Sequence, residues 1–194
     1  MVRKIKKGLA CALVAALAFT CAAPVTASAA SSAITAPEYT NVKNANVTVA
    51  KGVKASVSTD SKGRVTVKSI TAKKAKSITV ASKVKVKGKN CTVTTIGAKA
   101  FAKAPKATKV TLPSTITKIS AKAFSGAKKV KTIVIKAGKK SKVKVDKKAF
   151  KGLSKKQKSK IVVKVGKSMS KKNFNALKKA LKAAGISTKN IKRG

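Results

Sequence analysis

The chain has 194 residues, 43% of them hydrophobic, which is long enough and apolar enough for one ordinary domain with a packed core. Its 48 lysines and arginines stand against 3 acidic residues, for a formal net charge of +45, and all but Arg3, Arg64 and Arg193 of the basic residues are lysine. Internal salt bridges are thereby excluded as the basis of the fold, and with no histidine in the chain the commonest general base and metal ligand is missing.

The chain begins with a predicted secretory signal peptide over residues 1–29. Arg3, Lys4, Lys6 and Lys7 form a basic start, Leu9 to about Ala23 an apolar stretch, and Ala27-Ser28-Ala29 a small-x-small cleavage sequence. Cleavage is expected after Ala29. The apolar part is too short for a preferred membrane span, and no later segment is apolar enough to cross a bilayer. Cys21 follows Phe19-Thr20, a poor context for lipid modification. The mature chain would carry about +41 and keep only Cys91, so no internal disulfide is available and stability must come from packing.

Residues 30–45, with Pro37, Asn41 and Asn44, read as a flexible leader. Residues 46–92 read as an N-terminal β cap and a degenerate repeat. Valine alternates with polar residues on both sides of Asp60-Ser61-Lys62-Gly63, a hairpin signal. A second hairpin is predicted in VKVKGKNCTVTTI, with its turn at Gly88-Lys89-Asn90. Between the two, Ile78-Thr79-Val80 aligns with Val110-Thr111-Leu112 further on.

Residues 93–168 carry a repeat. Phe101, Phe124 and Phe150 each follow an alanine and lie 23 and 26 residues apart, a period typical of stacked-repeat architectures. Ile96, Ala100, Phe101, Ala104, Val110 and Leu112 recur as Ile119, Ala123, Phe124, Ala127, Ile133 and Ile135 with one offset. In each copy VTLP or IVI alternates as a short strand, and IGAKAFAKA or ISAKAFSGA suits a helical turn presenting Ala and Phe to the same interior. One such unit cannot bury its own stripe. Stacked copies can, with each phenylalanine filling the same slot in successive coils. Residues 169–194 read as a capping helix and tail: Ser170 as N-cap, Phe174, Leu177, Leu181 and Ala184 on one stripe, Gly185 as the stop.

The pattern from Ile96-Gly97 to Ala100-Phe101, with Val110-Thr111-Leu112-Pro113, Ile116 to Ile119, Ala123-Phe124-Ser125-Gly126, Ile133-Val134-Ile135 and Ala149-Phe150-Lys151-Gly152-Leu153, resembles the BspA-type leucine-rich repeat family of bacterial surface and secreted proteins. Ala104 and Ala127 stand where that family often has cysteine, and Ala107 and Val130 where it usually has leucine. The resemblance implies an α+β repeat: a short leucine-rich-repeat solenoid of parallel strand plus helical turn per coil, here with an N-terminal β-hairpin cap and a C-terminal capping helix. It also implies a secreted or cell-surface location in a bacterium and a role in attachment or protein interaction.

Signals for catalysis are nearly absent. Glu38, Asp60 and Asp146 fall in three separate predicted elements, and no Gly-rich phosphate loop occurs. Ser-x-x-Lys appears at Ser82/Lys85, Ser125/Lys128, Ser141/Lys144 and Ser168/Lys171, but about four such matches are expected by chance in so lysine-rich a chain. Leu112-Pro113-Ser114-Thr115 is similar to a sortase signal, yet Ile116 replaces the required glycine, so it reads as a turn. No enzyme and no cofactor is expected.

The charge points to partners. Strands about 4.8 Å apart bring lysines of adjacent coils well within a Debye length of about 8 Å, making a surface that attracts polyanions. The expected function is an exported, non-catalytic binding or adhesion module that associates with anionic cell-wall or host glycans or with surface proteins. A cationic nucleic-acid-binding or membrane-active effector is the alternative. Non-specific nucleic-acid contact needs only lysine, but 3% aromatic content gives little for base stacking. A soluble scaffold whose lysines serve solubility alone is the blandest reading. Outward positions beside the repeat strands, Lys109, Lys131, Lys136, Lys160 and Lys164, are the candidate polyanion-binding residues.

Overall fold

The computed structural model describes residues 39, 41–50 and 53–194; the expected signal peptide, its expected cleavage point after Ala29 and most of the expected leader lie outside them. The chain first forms an antiparallel meander, β1 (Ala45–Ala50), β2 (Val53–Thr59) and β3 (Arg64–Thr71). Its valines alternate inward: Val53, Ala55 and Val57 on β2, Val65 and Val67 on β3 are buried. Asp60 makes the β2–β3 turn, its carboxylate accepting from the Lys62 and Arg64 amides. Tyr39 and Val42, at the end of the expected leader, pack against this core, because the Val42 carbonyl accepts from the Thr59 amide and carries the chain alongside β2.

From β3 onward the chain coils, and the coils up to β11 give strands to each of two sheets, while the last gives β12 to the second alone. The first sheet continues from β3 through β6 (Lys89–Ile96), β8 (Lys118–Ile119) and β10 (Lys144–Val145), all parallel. The second runs β4 (Ser77–Thr79), β7 (Lys109–Leu112), β9 (Thr132–Ile135), β11 (Val162–Val165) and β12 (Ile191–Arg193), also parallel. Ile78, Val110, Ile133, Val163 and Ile191 stand in register across this second sheet and are all buried. Ile78 pairs with Val110 as the degenerate upstream copy requires.

β5 (Lys83–Val86) hairpins with β6, with Val84 opposite Cys91 and Val86 opposite Lys89. The turn is Lys87-Gly88, earlier than Gly88-Lys89-Asn90. Both turn residues have positive φ, 49° and 79°, the geometry whose twist matches the flanking strands in a two-residue loop. Asn90 is therefore a strand residue.

The phenylalanine segments join the two sheets as i→i+3 hydrogen-bonded turns with no α-helix: the Ala104 amide donates to Phe101 O, and Ala127 to Phe124 O. Backbone bonds also run from coil to coil, Phe101 N to Ala123 O and Phe124 N to Ala149 O. Lys99 and Lys122, at equivalent positions, both adopt left-handed φ of 57° and 56°; their amides donate to Lys122 O and Lys148 O, so the unusual backbone turns both donors along the stack. Phe101, Phe124 and Phe150 are 0%, 0% and 1% exposed. Their rings stack at 4.9 Å, with interplanar angles of 7° and 9°. That separation matches the strand spacing of about 4.8 Å, so one ring per coil makes a continuous aromatic column.

The third coil is longer because α1 (Lys155–Lys160) is inserted before β11. It buries no residue and is held by a capping box between Ser154 and Gln157. α2 (Lys171–Ala183) starts at the N-cap Ser170, whose side chain accepts from the Asn173 amide, and ends with Gly185 at φ 92°. Leu177 and Leu181 are buried and Phe174 half-buried; the helix packs against β10. The tail after α2 supplies β12, fastened by the Arg193 guanidinium, which donates to Lys167 O and Met169 O and lies 5.5 Å from the Phe174 ring centre. No helix among the described residues is long and apolar enough to cross a membrane.

Candidate polyanion-binding faces

Two sheets with buried inner rows necessarily have two outward faces. On the second sheet one outward row reads Ser77, Lys109, Thr132, Val162 and the next Thr79, Thr111, Val134, Lys164, Lys192, with Thr111 itself buried. The middle of this face is uncharged. Lys109 and Lys164 occupy different rows and strands two apart. Lys131 precedes β9 and Lys136 follows it, about 17 Å apart along the strand, and Lys160 ends α1. All five are exposed, but they ring the face and do not converge on one point.

On the first sheet the outward row crosses five strands as Ser58, Thr66, Thr95, Lys118 and Lys144. These residues, with Asp60, Arg64 and Lys142, line an open groove of about 600 Å³. At one end Arg64 Nε donates to Asp60 Oδ2 at 2.6 Å. The exposure of this ion pair leaves it a small contribution to stability. Burial pushes the Asp60 carboxyl up, but the Arg64 amide and guanidinium and the Lys62 amide outweigh it and hold the group below its ordinary 3.8. At the other end stand three exposed lysines, and the one carboxylate among the groove's lining residues, Asp60, is paired with Arg64.

Sequence reasoning missed Lys118, Lys142 and Lys144 as a site because β8 is two residues long and gives no alternating signal, and the alternation of Lys142-Val143-Lys144-Val145 around β10 does not say which neighbours it meets. A signal was nonetheless present. Thr95, Lys118 and Lys144 are separated by 23 and 26 residues, the same intervals as the phenylalanines, so the repeat register already aligned them.

The remaining chemical candidates have structural duties or are dispersed. Ser141 Oγ accepts from the Gly138 amide and donates to Ser114 O, fastening a turn. Cys91 is free and buried, its thiol pushed up by burial and by the Asp60 charge against a smaller opposing effect of Lys89. Among the described residues no three His, Cys, Asp or Glu side chains gather to hold a metal.

A family model for the BspA type leucine rich repeat region, in six copies, matches residues 82–192. The chain belongs to the BspA-type leucine-rich repeat family. Two solved structures are similar to it. The pneumococcal vaccine antigen PcpA is 24% identical, with 68% of this chain and 34% of that one covered and a TM-score of 0.46. A leucine rich cell surface protein from Faecalibacterium prausnitzii A2-165 is 21% identical, with 62% and 32% covered and a TM-score of 0.45. The chain thus matches about a third of the length of each. No curated protein matches it. For a BspA-type repeat the strand-rich stack described above is the expected fold.

Proposed function

We propose that this BspA-type chain is an exported, non-catalytic adhesion module held to anionic polymers by lysines on its repeat faces. The observation that carries the reading is the alignment of lysines on stacked coils in a chain with 3 acidic residues against 48 basic ones. Such a surface gathers counterions, and releasing them on contact with a polyanion drives association. Residues 1–29 would be removed after Ala29, residues 30–45 would lead into the β cap, and α2 would close the far end of the stack, as repeat arrays need. The product would be secreted or retained at the bacterial surface, with cell-wall or host glycans or surface proteins as partners. Lys109, Lys131, Lys136, Lys160 and Lys164 would contribute to the general field.

The test is binding of the mature chain to purified teichoic acid, mucin and duplex DNA over a salt series. A preference for the wall polymer or mucin that persists above about 0.3 M salt supports the adhesion reading, since counterion release alone weakens steeply with salt. Parallel loss on all three polymers would reduce the lysines to generic electrostatics. Tightest binding to DNA at every salt would favour the nucleic-acid effector.

A further inference from the structure

The groove on the first sheet has a polarity that the rest of the lysine surface lacks. Along the stack its floor passes from hydroxyls, Ser58, Thr66 and Thr95, to ammonium groups, Lys118 and Lys144, with Lys142 beside them. With strands about 4.8 Å apart, the row is roughly 19 Å long. At the hydroxyl end Asp60 and Arg64 cancel one another's charge; at the far end three cations stand together.

A chain bearing a negative charge on every unit, such as polyphosphate or a nucleic-acid backbone, would set some of its charges over this neutral end, where the one cation, Arg64, is already paired with the Asp60 carboxylate. A sugar hydroxyl there can instead donate to that carboxylate and exchange hydrogen bonds with the threonines. No aromatic residue lines the groove, so it offers no stacking platform for a base. We infer that this groove binds an acidic oligosaccharide lying along the stack, its hydroxyl-bearing part over Ser58, Thr66 and Thr95 and a carboxylate or sulfate among Lys118, Lys142 and Lys144. The inference rests on the polyanion-binding reading and narrows it to one face and one ligand class.

The probe is a hyaluronan hexasaccharide, in which only every second sugar carries a charge, titrated calorimetrically against the mature chain at 0.15 M salt, about the physiological ionic strength. Two triple variants lose equal charge: K118Q/K142Q/K144Q in the groove and K109Q/K164Q/K192Q on the second sheet. All side chains changed are exposed, and circular dichroism checks the folds. The groove triple is expected to weaken binding about tenfold or more, the scale of lost charge-assisted hydrogen bonds, and the other triple about twofold. Equal weakening overturns the groove and leaves the general reading standing. The pair T66V/T95V should weaken the hexasaccharide severalfold and leave inorganic polyphosphate unchanged; equal effects on both would remove the sugar specificity. Tighter binding of polyphosphate or duplex DNA than of the hexasaccharide, with the same dependence on the groove lysines, would also overturn the glycan assignment. Failure to bind any polyanion would sink the broader reading with it.

Discussion

The antiparallel meander β1–β3 and the parallel coils that follow are built from the same few aliphatic residues, yet they hold together differently. In the meander each strand pairs with the next, and the residues of the β2–β3 turn, Asp60 with Lys62 and Arg64, fix the register there. In the coils, apart from the β5–β6 hairpin and the β11–β12 pair, strands pair across coils and not with their neighbours in sequence: β7, β9 and β11 are each joined to the coil before and after. Local chemistry specifies the first region, and columns shared between copies specify the second. Damage should therefore stay local in the meander and spread along the coils.

The largest expected effect tests that contrast directly. Phe124 has a ring stacked on each face, so Phe124→Ala empties the middle of the column and should cost about 3–5 kcal/mol. Val65→Ala, equally buried in the meander, should cost about 2 kcal/mol. Urea denaturation measures both, and hydrogen exchange locates them. The coil variant should lose amide protection in the coils on both sides of its own, the meander variant only in β1–β3. Protection lost over the same extent in both variants would show that the coils are no more interdependent than a hairpin.

A smaller effect separates backbone strain from stacking. Gly88, in the hairpin turn, has φ 79° and open space where a Cβ would go, so Gly88→Ala meets only the left-handed penalty of about 1–2 kcal/mol. Gly152, in a coil turn, has φ 97° and a would-be Cβ 2.6 Å from Ser125 Oγ of the preceding coil. Gly152→Ala should therefore exceed Gly88→Ala, and adding Ser125→Ala should recover part of the excess. Equal thermal shifts for the two glycine variants would mean that the coils have slack at this contact.

The same contrast decides what could be read from the residues alone. The aromatic column, the Ile78–Val110 register and α2 were legible because a repeated or periodic pattern announces itself: the interval carries the phenylalanines, and the stripe Phe174, Leu177, Leu181 carries the helix. α1 and β12 were not. α1 reads KKQKSK and buries nothing, so only its capping box marks it, and β12 is three residues whose strand geometry comes from pairing with β11. The lysines chosen for the candidate site followed the more visible strands, of four residues, and so drew attention to the second sheet. The two-residue strands of the first sheet were marked only by the repeat interval they share with the phenylalanines, and tertiary pairing is what sets Lys118 beside Lys144.

The smallest effect belongs to the meander's own turn. Burial raises the Asp60 carboxyl, and the hydrogen bonds from Arg64 and Lys62 more than reverse it, so its folded pKa lies below the ordinary 3.8. A carboxyl depressed in the folded state binds its proton less readily there than in the unfolded chain. Its stabilisation is therefore complete above about pH 4 and fades as the pH falls through the folded value. Asp60→Asn keeps one acceptor oxygen and removes the titration, so the variant's melting temperature should be nearly level from about pH 4 to about pH 2, where that of the parent declines. Exchange protection should fall with acid at the β2–β3 turn and hold in the coils. Acid loss of protection in the coils ahead of the turn would reverse the assignment of this ion pair to the meander, and with it the claim that the two regions are held by separate means.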